Sequence, residues 1–335
     1  MKTNNFDILR FSLAFMVMLF HIGMLSEAQE LHGLTLISGT FAVNAFFIIS
    51  GFLICMSCER NSSIYQYTIK RVRRVYPAYL LAIIFTFVIG VLFTTLDLRE
   101  FFTSGETYRY LAYNLVFLNF KQVSLPGVFS DHVDVGMNGS LWTLKIEIMF
   151  YVLVPFILFA CRKLGATRVL IAGYLLSIAY RIGFLYLFDT TGNEIYSRFG
   201  KQLPGQLCFF LSGAFFYFWY KSNRPIPWWV AAIGVVFYNL PYEYLQISLG
   251  PIGLGAAVCW FALHARHLGH FGKYGDTSYG IYVYHFPLVQ VAVSLGLFTT
   301  HPYATTLAVS VTVVIMSLAS WRYVENPWLG RSKQH

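Results

Sequence analysis

The chain has 335 residues, of which 57% are hydrophobic, 19% aromatic and only 12% charged. Soluble domains carry about twice that charged fraction, so a water-soluble globular enzyme is excluded. The net charge of +9 would suit nucleic acid if it were clustered, but the basic residues are spread over short segments between apolar runs, the pattern that orients membrane proteins, and no nucleic-acid partner is expected.

Apolar runs of about 20 residues are the signature of transmembrane helices. They fall near 6–26, 38–57, 77–96, 139–161, 167–188, 203–220, 226–240, 245–264, 277–299 and 304–321. The expected fold is all-α, a polytopic bundle of about ten spans forming one membrane-embedded domain over residues 1–335. The piece at 110–120 is too short to cross and reads as re-entrant or interfacial. The first run contains an arginine and lacks a small-residue cleavage site, so it is expected to stay as a helix rather than leave as a signal peptide. Cys55-Met-Ser-Cys58 has the form of a CxxC but no partnering His or Cys cluster; packing is the reading, and no metal site is expected.

Loop charges set the orientation. Arg60, Lys70, Arg71, Arg73 and Arg74 lie on one side with Arg162, Lys163, Arg168, Lys221, Arg224, Arg266, Lys273, Arg322, Arg331 and Lys333. Glu27, Glu30, Asp97, Glu100, Glu106, Asp131, Asp134, Asp189, Glu194 and Glu243 lie on the other. The basic side is expected to be cytoplasmic, with both termini there.

Polar residues inside spans are costly and mark function. Arg10 and His21 lie eleven residues apart in the first run, hence close to one helix face and about 16 Å apart along the axis. The arginine suits an anion; the imidazole, placed in the outer half, suits a general base or an acyl-accepting nucleophile. Arg71 and Arg74 share a face at a spacing of three, and paired guanidiniums suit phosphate. The rival reading is ordinary basic-loop topology. In Asn138-Gly139-Ser140-Leu141-Trp142-Thr143 and the residues that follow, Ser140, Thr143 and Glu147 share a face. Glu147 could orient His21, or form a structural ion pair with Lys145 or Arg181. His285 lies in an aromatic helix with a proline at 287, nearer the cytoplasmic half, and reads equally as structural or ligand-binding. Small residues around Ser50 and Gly51 read as close-approach positions, and Asn44 as a possible reach into an outer site.

These segments together resemble the acyltransferase-3 family of integral membrane acyltransferases. The matching pieces are Phe6-Asp7-Ile8-Leu9-Arg10 with His21, Phe46-Phe47-Ile48-Ile49-Ser50-Gly51-Phe52, and Arg71-Val72-Arg73-Arg74-Val75-Tyr76-Pro77. Leu141-Trp142-Thr143-Leu144-Lys145-Ile146-Glu147 with Phe150-Tyr151 and Pro155 follows, then Ser278-Tyr279-Gly280-Ile281-Tyr282 with His285-Phe286-Pro287, then Val324-Glu325-Asn326-Pro327. Ala42 stands where the family often has glycine, and Asn44 where an acidic residue is common.

The resemblance implies transfer of an acyl group, usually acetyl, from cytoplasmic acetyl-CoA to a hydroxyl of an extracytoplasmic or lipid-linked glycan, such as O-antigen, capsule or exopolysaccharide. His21 is then the essential histidine, Arg10 its partner, and Arg71 and Arg74 the arginine pair, while Glu147 is expected from the residues themselves to act with His21 in catalysis. Arg10, Arg71 and Arg74 hold the donor, and Asn44, Ser140, Trp142, Thr143, Tyr151 and His285 line the substrate side. Some members add an extracytoplasmic hydrolase-like domain, and none is expected here, so transfer is completed alone or by a separate protein. The expected surroundings are membrane lipid and a bacterial cytoplasmic membrane. A transporter or flippase of lipid-linked sugars, without acyl transfer, is the alternative that polar groups within a bundle also suit.

Overall fold

A computed structural model describes residues 4–269 and 271–329, with Tyr274 described by its backbone alone. Arg331 and Lys333 of the charge pattern lie outside the described residues. The helices are α1 (Phe6–Leu25), α2 (Gly39–Arg60), α3 (Ile64–Phe93), α4 (Leu98–Thr103), α5 (Gly105–Leu115), α6 (Trp142–Leu164), α7 (Ala166–Thr191) and α8 (Glu194–Gly200). They continue with α9 (Leu203–Lys221), α10 (Trp228–Tyr238), α11 (Glu243–His264), α12 (Ser278–Ser294), α13 (Leu297–Thr300), α14 (Pro302–Ser320) and α15 (Asn326–Trp328). Among the described residues there is no strand.

Each of the ten apolar runs coincides with a helix, and among the described residues seven helical segments are long and apolar enough to cross a membrane: Phe6–Leu25, Gln29–Arg60, Ile64–Phe93, Trp142–Leu164, Ala166–Thr191, Glu243–His264 and Pro302–Trp328. The α9, α10 and α12 segments are not among these seven, α10 having 11 residues and α12 having 17. Exposed side chains point to lipid independently of length. Ile84, Val88 and Leu92 on α3, Met149, Val152, Phe156 and Phe159 on α6, and Leu307, Val311, Ile315 and Leu318 on α14 are all exposed. Their spacing of three, four and seven makes one stripe per helix. An apolar stripe on the outward face reverses the pattern of a water-soluble helix.

Two boundaries differ from expectation. The α3 helix begins at Ile64 rather than near 77, so Lys70, Arg71, Arg73 and Arg74 are helical and not in a loop. Pro77 does not stop it, because an interior proline removes one hydrogen bond and bends the helix without always ending it. The short piece near 110–120 is the amphipathic α5, eleven residues long and burying Thr107, Tyr110 and Asn114 on one face.

The chain divides into two compact units, each made of three separate stretches. The first comprises 4–9, 43–68 and 146–269. Its core is α9, with Cys208 to Ala214 all buried. Added Cβ atoms explain two of its glycines. At Gly51 a Cβ would stand 1.9 Å from the Phe210 carbonyl oxygen, and at Gly213 the same distance from that of Ile48. Here α2 and α9 touch backbone to backbone, as small residues permit between membrane helices. Pro155 withholds an N–H from the Tyr151 carbonyl, and the Tyr67 hydroxyl donates to that oxygen at 3.0 Å instead. None of the five cysteines forms a disulfide, and Cys55, Cys161, Cys208 and Cys259 are buried.

The second unit comprises 10–42, 69–145 and 271–329. Its pillar is α12, buried continuously from Ser278 to Pro287. Gly280 lets α14 approach, since a Cβ there would stand 2.9 Å from Ser317 Cα. A satellite core of Ile89, Phe101, Tyr110, Leu125, Val128, Phe129 and Met137 anchors α4, α5 and the following loop onto α3.

The α2–α9 contact has a direct test. Gly51→Ala or Gly213→Ala places a methyl against immovable backbone and is expected to destabilise by about 1–3 kcal/mol or more, the scale of overpacking. Gly183→Ala in α7, where nothing lies within 4 Å of the added carbon, is expected to be neutral or stabilising by up to about 1 kcal/mol. Thermal unfolding of the purified variants in detergent measures both.

Candidate active site

Two polar centres lie in the second unit, both strung between α1 and α12. The first is an ion cluster. Asp276 precedes α12 and accepts from Arg10 Nη1 and Arg74 Nη2 through a single oxygen, Oδ2. Its other oxygen accepts from the Ser278 backbone N–H and hydroxyl. Arg74 Nη1 lies 3.6 Å from Glu325 Oε2, and its guanidinium lies 5.3 Å from the centre of the Trp321 ring. Gly275 is required beside it: its φ is +104°, and a Cβ would overlap the Trp321 indole.

The electrostatics of Asp276 follow from these neighbours. Burial alone pushes its carboxyl upward, but Arg10, Arg74 and the two Ser278 hydrogen bonds outweigh that and bring it down to about 2. It is therefore an anion at every working pH. Each guanidinium has five N–H donors, and the shared carboxylate oxygen takes one from each.

The second centre is at His21. Its Nδ1 lies 2.8 Å from His285 Nε2, and the two ring planes are within 17° of parallel with centroids 5.0 Å apart. His285 is completely buried, and its Nδ1 lies 2.9 Å from the Ile281 carbonyl oxygen. Phe286 presents an edge contact to the His21 ring, centroids 5.1 Å apart. The Asn138-Gly139-Ser140 segment closes onto this region. Pro287 withholds the N–H that the Val283 carbonyl would take in a regular helix, and Asn138 Nδ2 donates to that oxygen at 2.8 Å. Ser140 Oγ donates to the Tyr282 carbonyl at 3.0 Å, and Thr143 Oγ1 lies 2.6 Å from the Tyr282 hydroxyl. Gly139 leaves room for the Phe286 ring, which a Cβ would approach to 2.6 Å.

The two centres form two rungs. Arg10 to His21 is eleven residues on α1, and Asp276, two residues before α12, to His285 is nine, about 16 and 13 Å at helical rise. The helices therefore run in the same direction. His285 stands at the level of His21 and not in a separate half. Counting depth from each helix's own end misplaced it, because α12 begins at Ser278 and α1 at Phe6, at different heights.

The other expected residues are distributed as follows. Arg71 is half-buried one turn before Arg74, and Trp142, also half-buried, opens α6 in the second unit. Glu147, Tyr151 and Asn44 belong to the first unit. There the Tyr151 hydroxyl donates to Glu147 Oε1 one turn away, and Asn44 Nδ2 donates to the Tyr238 hydroxyl at 3.2 Å. Asp276 and Glu325 were absent from the expected site. The signal for them was sign: they are acidic residues on the side of the chain that loop charges otherwise make basic.

The comparisons fit this arrangement. Residues 3–321 match the acyltransferase domain of the acyltransferase-3 family, and the chain belongs to that family. It is 28% identical to an O-acetyl transferase of Shigella phage Sf6, with 99% of this chain and 97% of that protein aligned. It is 26% identical to nodulation protein 10 of Rhizobium leguminosarum bv. viciae, covering 97% and 92%. Exopolysaccharide production protein ExoZ of Rhizobium meliloti is 27% identical, covering 92% and 96%. No solved structure matches the chain. With seven helices able to cross a membrane, the protein is an integral membrane acyltransferase.

The shared carboxylate makes a pH prediction. The Asp276 carboxyl sits near 2 when folded and near about 3.9 in an unfolded chain. Its contribution, on the order of 2–3 kcal/mol, is complete above about pH 4 and is lost as pH falls towards 2. Asp276→Asn should therefore lower thermal stability by a constant amount between pH 5 and 8, measured by unfolding midpoints, with the gap closing only in strong acid.

Proposed function

We propose that the protein moves an acetyl group from cytoplasmic acetyl-CoA to a hydroxyl of an extracytoplasmic or lipid-linked glycan, as one membrane-embedded domain of a bacterial cytoplasmic membrane. The observation that carries this reading is the pair of rungs on α1 and α12: guanidiniums at one level and a half-buried imidazole about 16 Å further along. The same-direction course of α1 and α12 agrees with ten spans and cytoplasmic termini, since both helices then enter from the basic side. The relatives named for O-acetyl transfer and exopolysaccharide production support an acetyl donor and a glycan acceptor.

The donor's phosphates are proposed to bind at Arg10, Arg71 and Arg74, whose guanidinium forks suit oxyanions. Its pantetheine arm runs between the rungs and presents the thioester at His21. His21 Nε2 then works in one of two ways. It takes the proton of the acceptor hydroxyl as that oxygen attacks the thioester carbonyl; a C–O bond forms, the C–S bond breaks, and the departing thiolate recovers the proton. Or the nitrogen itself attacks, releasing CoA thiol and leaving an acyl-imidazole that the hydroxyl consumes in a second step. Trapping a radiolabelled acyl-enzyme distinguishes the second route from the first. Ser140, Trp142, Thr143, Tyr151 and Asn44 are proposed to line the acceptor side. Glu147 is proposed to stabilise the imidazolium through its charge, since His21 Nδ1 already faces His285.

Purified protein in detergent should turn over acetyl-CoA, and His21→Ala should abolish this by at least about 100-fold, the scale of lost general-base catalysis, with its unfolding midpoint retained. Arg71→Ala should raise the donor KM by about tenfold or more, the equivalent of one charge-assisted hydrogen bond, and leave kcat nearly untouched. Full glycan acetylation by His21→Ala in cells would overturn the assignment, as would a donor KM insensitive to Arg71→Ala.

A further inference from the structure

His285 is buried among Tyr282, Phe286 and His21 and has both ring nitrogens engaged. Its hydrogen bonds can be followed atom by atom. The Ile281 carbonyl oxygen is only an acceptor, so His285 Nδ1, 2.9 Å away, must carry the proton and donate to it. In the neutral ring the other nitrogen then holds a lone pair. That nitrogen, Nε2, faces His21 Nδ1 at 2.8 Å. Two lone pairs cannot face one another at that distance, so His21 Nδ1 carries the proton and donates. His21 is thereby left with its lone pair on Nε2.

We infer that His285 is a positioning residue that locks His21 into the Nδ1–H tautomer, so that Nε2 is held as the base or nucleophile for acyl transfer. This rests on the role proposed above for His21 and deepens it. An imidazole with no fixed partner samples both tautomers, and only one of them can accept a proton or attack a carbonyl through Nε2. In hydrolases the same task falls to a carboxylate beside the histidine; here a second histidine does it, itself fixed by a main-chain carbonyl. The Ile281 carbonyl lies one turn before His285 on the same helix, so the geometry of α12 sets the direction of the whole chain of hydrogen bonds. The polar groups on neighbouring elements face other partners: Ser140 and Thr143 bond to Tyr282, and Asn138 to Val283. Phe286 and the near-parallel His285 ring fix the plane of the His21 ring.

The test combines kinetics with a spectroscopic readout. Solid-state NMR of the wild-type protein in liposomes, with 15N-labelled histidine rings and His21→Ala to assign the signal, should show His21 protonated on Nδ1 and bare on Nε2. His285→Leu removes the acceptor. It should lower kcat by about 100-fold or more, the range of lost histidine orientation, while the donor KM stays near the wild-type value. His285→Gln offers an amide oxygen to His21 Nδ1 and should recover most of that loss. A wild-type spectrum with the His21 proton on Nε2 overturns the inference even if His285→Leu fails to fold. So does a folded His285→Leu whose kcat is within twofold of wild type. An active His21→Ala would instead overturn the proposed function, while leaving the measured tautomer of the wild type as it stands.

Discussion

A carboxylate shared by two arginines sets the register of the second unit. Arg10 on α1, Arg74 on α3 and Asp276 at the head of α12 meet at one oxygen atom, and Glu325 beyond α14 approaches Arg74 from the other side. Charges placed this close to a bilayer core are costly alone and persist where they pair. The pairing fixes the heights of three helices against one another. With that end fixed, helical rise alone carries His21 and His285 to a common level, about 16 and 13 Å further on.

The cluster also shapes what the site can bind. Asp276 and Glu325 set two carboxylates against Arg10 and Arg74, and Arg71 stands one turn before Arg74 on the same helix. A site of bare arginines would bind any polyanion tightly. Arginines already oriented by a carboxylate lose less side-chain entropy when a phosphate arrives, and they discriminate by the geometry of their remaining N–H donors. At the proposed donor site the phosphate oxygens must coexist with Asp276, which already holds both arginines.

How much of this was legible in the sequence depends on range. Helix positions were readable because lipid imposes length and apolarity locally, and each of the ten apolar runs has a helix. The eleven-residue interval from Arg10 to His21 was readable because helical geometry is local too. The starting point of α3 was not, since Pro77 and a run of basic residues look like a loop end. The pairings were hidden more deeply. Arg10 meets a carboxylate 266 residues away and His21 a histidine 264 away. In Gly275-Asp276-Thr277-Ser278 the one signal is an acidic residue on the otherwise basic side, and it does not name the arginines it meets. Glu147 drew attention as a carboxylate that could orient His21; the group found at His21 Nδ1 is an imidazole in place of a carboxylate.

That exchange has a physical logic. A carboxylate in contact with His21 would favour the charged imidazolium and hold its proton tightly, which suits a site where the charge is solvated or balanced. Deep in a membrane bundle, a neutral imidazole pair avoids introducing an anion. It still specifies which nitrogen carries the proton, because the direction of hydrogen bonding is set by the Ile281 carbonyl, a neutral group that helix α12 must place there in any case. Pro287 contributes from the same turn: by withholding an N–H from Val283 it opens a carbonyl that Asn138 occupies, drawing the 138–143 segment over the histidines. The nitrogen proposed to react is thus oriented by main-chain geometry through two rings, and the charged groups stay at the other rung, where the donor's phosphates are proposed to bind.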